Sequence, residues 1–149
     1  RIEAQCALAE TLSHVENGML LAVNNMTRTV DYVKSGNVLP IALNYTSEHL
    51  YDEAKAGLKD FRVEAGAMLP RLGYLARGDK YTTNCVAYDD AKWTTEEAFL
   101  EAIGTKAIYA HAGADGYHLV NETATDAIAL AIEATTMPDG QKAVKFQAL

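Results

Sequence analysis

The side chains best suited by type to metal or acid–base chemistry are the four histidines, His14, His49, His111 and His118. His111 and His118 flank the turn sequence Ala112-Gly113-Ala114-Asp115-Gly116. If they sat on paired strands facing one side, they and Asp115 would form a two-histidine, one-carboxylate group of the kind that holds a divalent metal. Such a site would want another convergent ligand, and the sequence names none. The plain alternative is two exposed hairpin residues beside an acidic turn. His49 lies among Glu48, Asp52 and Glu53, a local acidic cluster that in a loop is a solvated charged face. Cys85 follows Asn84, but a cysteine nucleophile needs a base and an orienting group that meet in space, and no spacing here implies them.

No phosphate-cradling glycine loop, dinucleotide fingerprint, zinc-protease helix, nucleophile elbow or calcium loop occurs. Asn25-Met26-Thr27, Asn44-Tyr45-Thr46 and Asn121-Glu122-Thr123 are glycosylation-type triplets, which matter only in a secretory setting. Arg77-Gly78-Asp79 spells an adhesion tripeptide, but Gly and Asp are default turn residues and a plain turn is the expectation. The lack of a recognisable site points towards a structural or binding role, with no enzyme activity and no cofactor expected.

Composition narrows the classes further. The 149 residues suit one domain with a real core. Against 20 acidic side chains stand 13 basic ones, a net charge of −7, which argues against neutralising nucleic-acid phosphates. Two cysteines, Cys6 and Cys85, are too few for a disulfide scaffold or a Cys-rich zinc site and are expected as reduced thiols. The longest apolar run, Met19 to Val23, is far short of a membrane span, and no secretory signal is visible from Arg1 onward.

The elements that must position these residues read as short strands. Residues 1–17 are expected as an extended arm leading to Gly18, although Leu8, Leu12 and Val15 also suit one face of a helix. Met19–Asn24, Thr27–Val33 and Val38–Leu43 form a meander, with Pro40 marking an edge or a strand start. Asn44–Asp60 reads as a long polar surface loop of the kind that makes contacts. Phe61–Glu64, Met68–Leu75 and Lys80–Tyr88 follow. Thr94-Thr95-Glu96-Glu97 spells a capping box, with Thr94 as the cap and Trp93 packed beside it as a staple. The helix, about 95–103, lies on the sheet through Phe99 and Ile103 and closes at Gly104. Ala107–Leu149 divides into three strands at two turns, Ala112–Gly116 and Met137-Pro138-Asp139-Gly140, with Val144, Phe146 and Ala148 facing inward on the last. The expected fold is mainly β: a small barrel or sandwich of short antiparallel strands with one short helix and an extended N-terminal arm. The arm takes 1–17 and a single β-rich domain takes 18–149.

Several segments, in order, resemble the head decoration (cement) proteins of tailed bacteriophages. They are ENGMLLAVNN, TVDYV, SEHLYDEAKAGLKDFRV, PRLGYLARGDKYTTNCV and TTMPDGQKAVKFQAL. The likeness spans roughly Glu16 to Leu149 and concentrates in LARGDKYTTN and MPDGQKAVKF. It implies a structural virion protein that binds the outer face of a capsid and stabilises the shell, assembled in the host bacterial cytoplasm. The implied partner is the major capsid protein. A homo-oligomer such as a trimer is implied, with no enzyme activity, cofactor, metal, nucleic acid or membrane. The gripping elements would be the arm, through Cys6, Leu8 and Leu12, and the 44–60 loop, through His49, Tyr51, Lys55 and Lys59. Two other classes compete: a small metal-dependent enzyme around His111, Asp115 and His118, and a secreted ligand-binding β-domain.

Overall fold

The run Leu20-Leu21-Ala22-Val23 contains no polar residue, so as a strand it has to be covered on both faces. In the computed structural model all four are buried, and this strand is the spine of its sheet. The structure describes residues 1–46, 61–66 and 68–149. Among these the chain forms β1 (Ile2–Glu3), β2 (Ala7–Leu8), β3 (His14–Val15), β4 (Leu20–Asn24), β5 (Thr29–Asp31), β6 (Ile41–Asn44), β7 (Val63–Glu64) and β8 (Leu72–Gly73). There follow β9 (Lys80–Thr83), β10 (Val86–Tyr88), α1 (Glu96–Ala102), β11 (Tyr109–Ala112), β12 (His118–Asn121), β13 (Ala129–Thr136) and β14 (Lys142–Ala148). The fold is mainly β with one short helix, as the sequence led us to expect. Its contacts divide it into two compact units: Arg1–Tyr74 with Ala114–Gly116, and Leu75–Gly113 with Tyr117–Leu149.

The first unit holds a six-stranded sheet in the order β1-β8-β6-β4-β5-β2, and β3 pairs with β7 apart from it. The three expected strands are present but not as a meander: β4, the first of them, lies between β5 and β6 and is antiparallel to both, so β6 crosses back past β5 to pair with β4. Pro40 marks a strand start: β6 begins at Ile41 and lies inside the sheet, and the Pro40 carbonyl accepts from Val23 N at 2.9 Å. Residues 1–17 are extended, yet they are not a free arm. β1 pairs with β8, β2 runs parallel to β5, and β3 pairs with β7. Cys6, Leu12 and Val15 supply the apolar groups that hold this segment down. The parallel β2–β5 pair departs from the all-antiparallel expectation.

The second unit holds a six-stranded sheet in the order β10-β12-β11-β13-β14-β9, antiparallel except where β10 runs parallel to β12. Two strand boundaries differ from expectation. Lys80–Tyr88 is two strands, broken at Asn84-Cys85, and the last 43 residues hold four strands instead of three. The unforeseen turn follows β12, where Asp126 takes a positive φ of 58° with no Gly or Pro to announce it. The last strand alternates as expected, with Val144, Phe146 and Ala148 buried, but β9 lies outside it. Strands β9 and β10 form the two edges of the sheet and are consecutive in the chain, yet no ladder joins them, so the barrel is not closed. The core beneath gathers Trp93, Phe99, Ile108, Ala110, Val120, Ala129, Ala131, Val144 and Phe146. Helix α1 docks through Phe99, stacked on Tyr88 at 5.4 Å and edge-on to Trp93 at 5.3 Å, so Trp93 packs there as expected. The cap is one residue later than the letters suggested. Thr95 is extended, and its Oγ1 accepts from Ala98 N at 3.2 Å, which leaves Thr94 outside the helix and no capping box. Gly104, at φ 89°, follows the last turn as expected.

Candidate functional site

The alternation of β12 turns His118 and Val120 towards the core of the second unit and Leu119 outward. His118 is fully buried, stacked on Phe146 at 5.0 Å and tilted against Tyr81 at 5.6 Å. Its Nδ1 lies 3.1 Å from the Cys85 carbonyl, which can only accept, so the ring proton resides on Nδ1. Nε2 is therefore an acceptor, and the Tyr81 hydroxyl donates to it at 3.0 Å. Burial pushes the imidazole down to about 4, against a smaller opposing pull from the Cys85 carbonyl. Burial likewise drives the Tyr81 phenol upward. Both groups stay neutral at physiological pH. In strand order β12 and β9 are four steps apart, roughly 19 Å in a flat sheet at about 4.8 Å a step. The 3.0 Å contact between Tyr81 and His118 means that the sheet curls hard around this pair.

Neither reading of the two histidines holds as expected: the register separates them, against the metal group, and His118 is fully buried, against the plain reading of two exposed hairpin residues. His118 lies opposite Ala112 and His111 opposite Leu119, so the two rings point to opposite faces of the sheet. The Nε2 of His111 sits 3.1 Å from Asn121 Oδ1 and 3.0 Å from the Thr123 carbonyl, which stitches the turn after β12. Asp115 falls with the first unit. The three residues are not assembled as one group, and no cluster of three or more His, Cys, Asp or Glu suited to a metal occurs among the described residues.

The proposed contact residues divide in the same way. Cys6 and Leu12 are buried in the first unit, Leu8 is half-buried, and the Cys6 thiol sits 3.8 Å from Asn25 Oδ1. Burial, with Glu3 beside it, raises the Cys6 thiol above its ordinary value. Cys6 and Leu12 hold the segment in place and present no surface to a partner. His49, Tyr51, Lys55 and Lys59 lie outside the described residues. The Asn44-Tyr45-Thr46 triplet is also committed internally. Asn44 is fully buried, its amide donating to the Glu16 carbonyl at 2.9 Å and its Oδ1 accepting from Thr46 at 2.7 Å. Thr46 Oγ1 in turn accepts from Arg71 N at 2.8 Å. Arg77-Gly78-Asp79 is a turn, as expected: Gly78 has φ 94° and Asp79 Oδ2 accepts from Ala76 N at 2.8 Å.

Sequence reasoning missed the pairing of Tyr81 with His118. The alternation of Tyr81 with Thr83 and of His118 with Val120 is the signal that places both on inward faces, and only the curl of the sheet makes them meet. It also did not single out the two most exposed apolar side chains of the first unit, Met26 at 86% in the turn before β5 and Val38 at 93% in the link between β5 and β6. On the second unit Glu122 pairs with Lys92 and lies 3.7 Å from Lys106, and the Lys92 hydrogen bond leads in holding its carboxyl below the usual range. No protein family, curated protein or solved structure matches this chain.

Proposed function

We propose that this protein is a structural component of a tailed-phage head, binding the outer surface of the capsid and stabilising the shell. The observation that carries the reading is the placement of the two segments in which the resemblance concentrates. LARGDKYTTN supplies β9 and its preceding turn, and MPDGQKAVKF supplies the turn before β14 and most of that strand. The two strands pair antiparallel from Lys80–Gln147 to Thr83–Val144. Gly78 N donates to the Ala148 carbonyl and Ala148 N to the Asp79 carbonyl, at 2.9 and 2.8 Å. The two segments that carry the resemblance, far apart in the chain, are thus neighbours in the fold, which supports reading them together.

The net charge of −7 favours the same reading, because an acidic domain suits the outside of a shell and not the packaged nucleic acid. A partner that binds the assembled shell and not its parts stabilises it by mass action. The contact surface on this reading comes from the exposed apolar side chains Met26 and Val38 of the first unit, together with the 44–60 segment, and not from Cys6 or Leu12. The test is heat stability. Undecorated expanded heads of the parent phage, incubated with the protein, should release DNA at a higher temperature than heads alone. An unchanged release temperature at saturating protein overturns the proposal.

A further inference from the structure

Strands β9 and β10 form opposite edges of the second unit's sheet, and the chain passes between them through the two-residue link Asn84-Cys85. His118 is the hub of the contacts that hold this link. Its backbone N donates to the Cys85 carbonyl at 2.8 Å, its Nδ1–H donates to the same oxygen at 3.1 Å, and its Nε2 receives the Tyr81 hydroxyl from β9 at 3.0 Å. Val86, the first residue of β10, is its register partner. The ring thus ties both sides of the link to an interior strand.

We propose that this arrangement is an acid-sensitive clasp: when His118 gains a proton, the Asn84–Cys85 link and the β10 edge open from the sheet while the first unit stays folded. The added proton goes to Nε2, where a hydroxyl now donates. The hydroxyl can rotate to accept, so the hydrogen bond itself is not what fails. What fails is solvation, because the imidazolium would sit fully buried against Phe146. Among the described residues, the groups around it give no counter-charge. β9 contributes the Tyr81 phenol and the exposed Lys80, and the link contributes the buried Cys85 thiol. β14 packs Phe146 on the ring and carries Lys142, exposed, and Lys145, which lies 3.6 Å from Glu133. β11 sets Ala112 opposite and turns His111 to the other face. β10 has no titratable group next to the ring, its Tyr88 standing instead against Phe99. The inexpensive route to solvating the charge is to release the element held least. That is β10, three residues long and paired on one side only.

Hydrogen exchange of the intact chain, read by mass spectrometry at pH 7 and pH 4.5 and corrected for intrinsic rates, tests the clasp. Protection across residues 84–88 should fall at least tenfold at the lower pH, with β4 and β6 unchanged. In His118→Gln, which cannot gain the proton, protection across the link should not change between the two pH values. A separate check needs no variant: the His118 ring proton, followed by NMR in the wild-type protein, should titrate well below the ordinary histidine value. Equal loss of protection in both units, an ordinary titration midpoint, or unaltered acid response in a folded His118→Gln protein would each overturn the proposal.

Discussion

The Tyr81 hydroxyl donates to His118 Nε2 at 3.0 Å because the other ring nitrogen is committed to the Cys85 carbonyl at 3.1 Å. Removing the hydroxyl should therefore leave a buried acceptor without its partner while the ring packing stays. Tyr81→Phe is expected to lower stability by about 1–3 kcal/mol in chemical denaturation, the usual cost of a buried group left unsatisfied. Trp93, the only tryptophan and buried in the same core, reports the transition. A loss under about 0.5 kcal/mol would show that water or a shifted neighbour satisfies the ring.

Stability should also depend on pH in a definite direction. Folding lowers the affinity of His118 for its proton, from an ordinary 6.5 to about 4, so the unfolded chain binds more protons between those values. The contribution is complete above about 6.5 and is lost as pH falls towards 4. At about 1.4 kcal/mol per pH unit it amounts to at most about 3–4 kcal/mol. Denaturation midpoints measured every half unit from pH 4 to 8 should fall through this window, and a flat profile would contradict the assignment.

The helix cap gives a discriminating pair of mutants. Thr95→Ala should cost about 1 kcal/mol, because Thr95 Oγ1 accepts from Ala98 N. Thr94→Ala should change stability by no more than about 0.5 kcal/mol, as expected for a surface position without a cap role. The opposite ranking by thermal melting would restore Thr94 as the cap.

Much of this architecture was legible in the sequence because the signals were local. The helix followed from Phe99 and Gly104, and the last strand from the alternation of Val144, Phe146 and Ala148. Pro40 and the turns at Gly78, Gly116 and Gly140 announced themselves through backbone chemistry. The failures were non-local or unmarked. Nothing near Asp126 signals that β12 ends and β13 begins after a left-handed residue. Thr94 and Thr95 are interchangeable by type, and only the path of the chain decides which caps. The histidines looked like exposed hairpin residues because six residues and a glycine turn lie between them. The register that sets His118 opposite Ala112 sends the two rings to opposite faces, and the curl of the sheet buries His118. The arm looked free because two-residue pairings leave almost no periodic pattern.

Gly116 carries a further expectation. At φ 85° its position is one that a side chain rarely adopts, and an added Cβ would stand 3.0 Å from Met19 Sδ and 3.2 Å from Tyr32. Its carbonyl also accepts from Leu20 N at 2.9 Å, on the spine strand of the first unit. Gly116→Ala should destabilise the protein by about 1–3 kcal/mol, measured by thermal melting against Gly140→Ala. Gly140 has a similar φ but open space around it, so its variant should lose less.

The proposed place on a phage head is tested most directly by binding. Purified protein should co-sediment with expanded, undecorated shells of the parent phage, saturating at a fixed number of copies per capsid subunit. It should remain in the supernatant with unassembled capsid protein. Val38→Glu, a change at a side chain that is 93% exposed, should weaken the shell complex without altering the melting curve of the free protein. Absence of saturable binding to shells, or equal binding to unassembled subunits, would contradict the account.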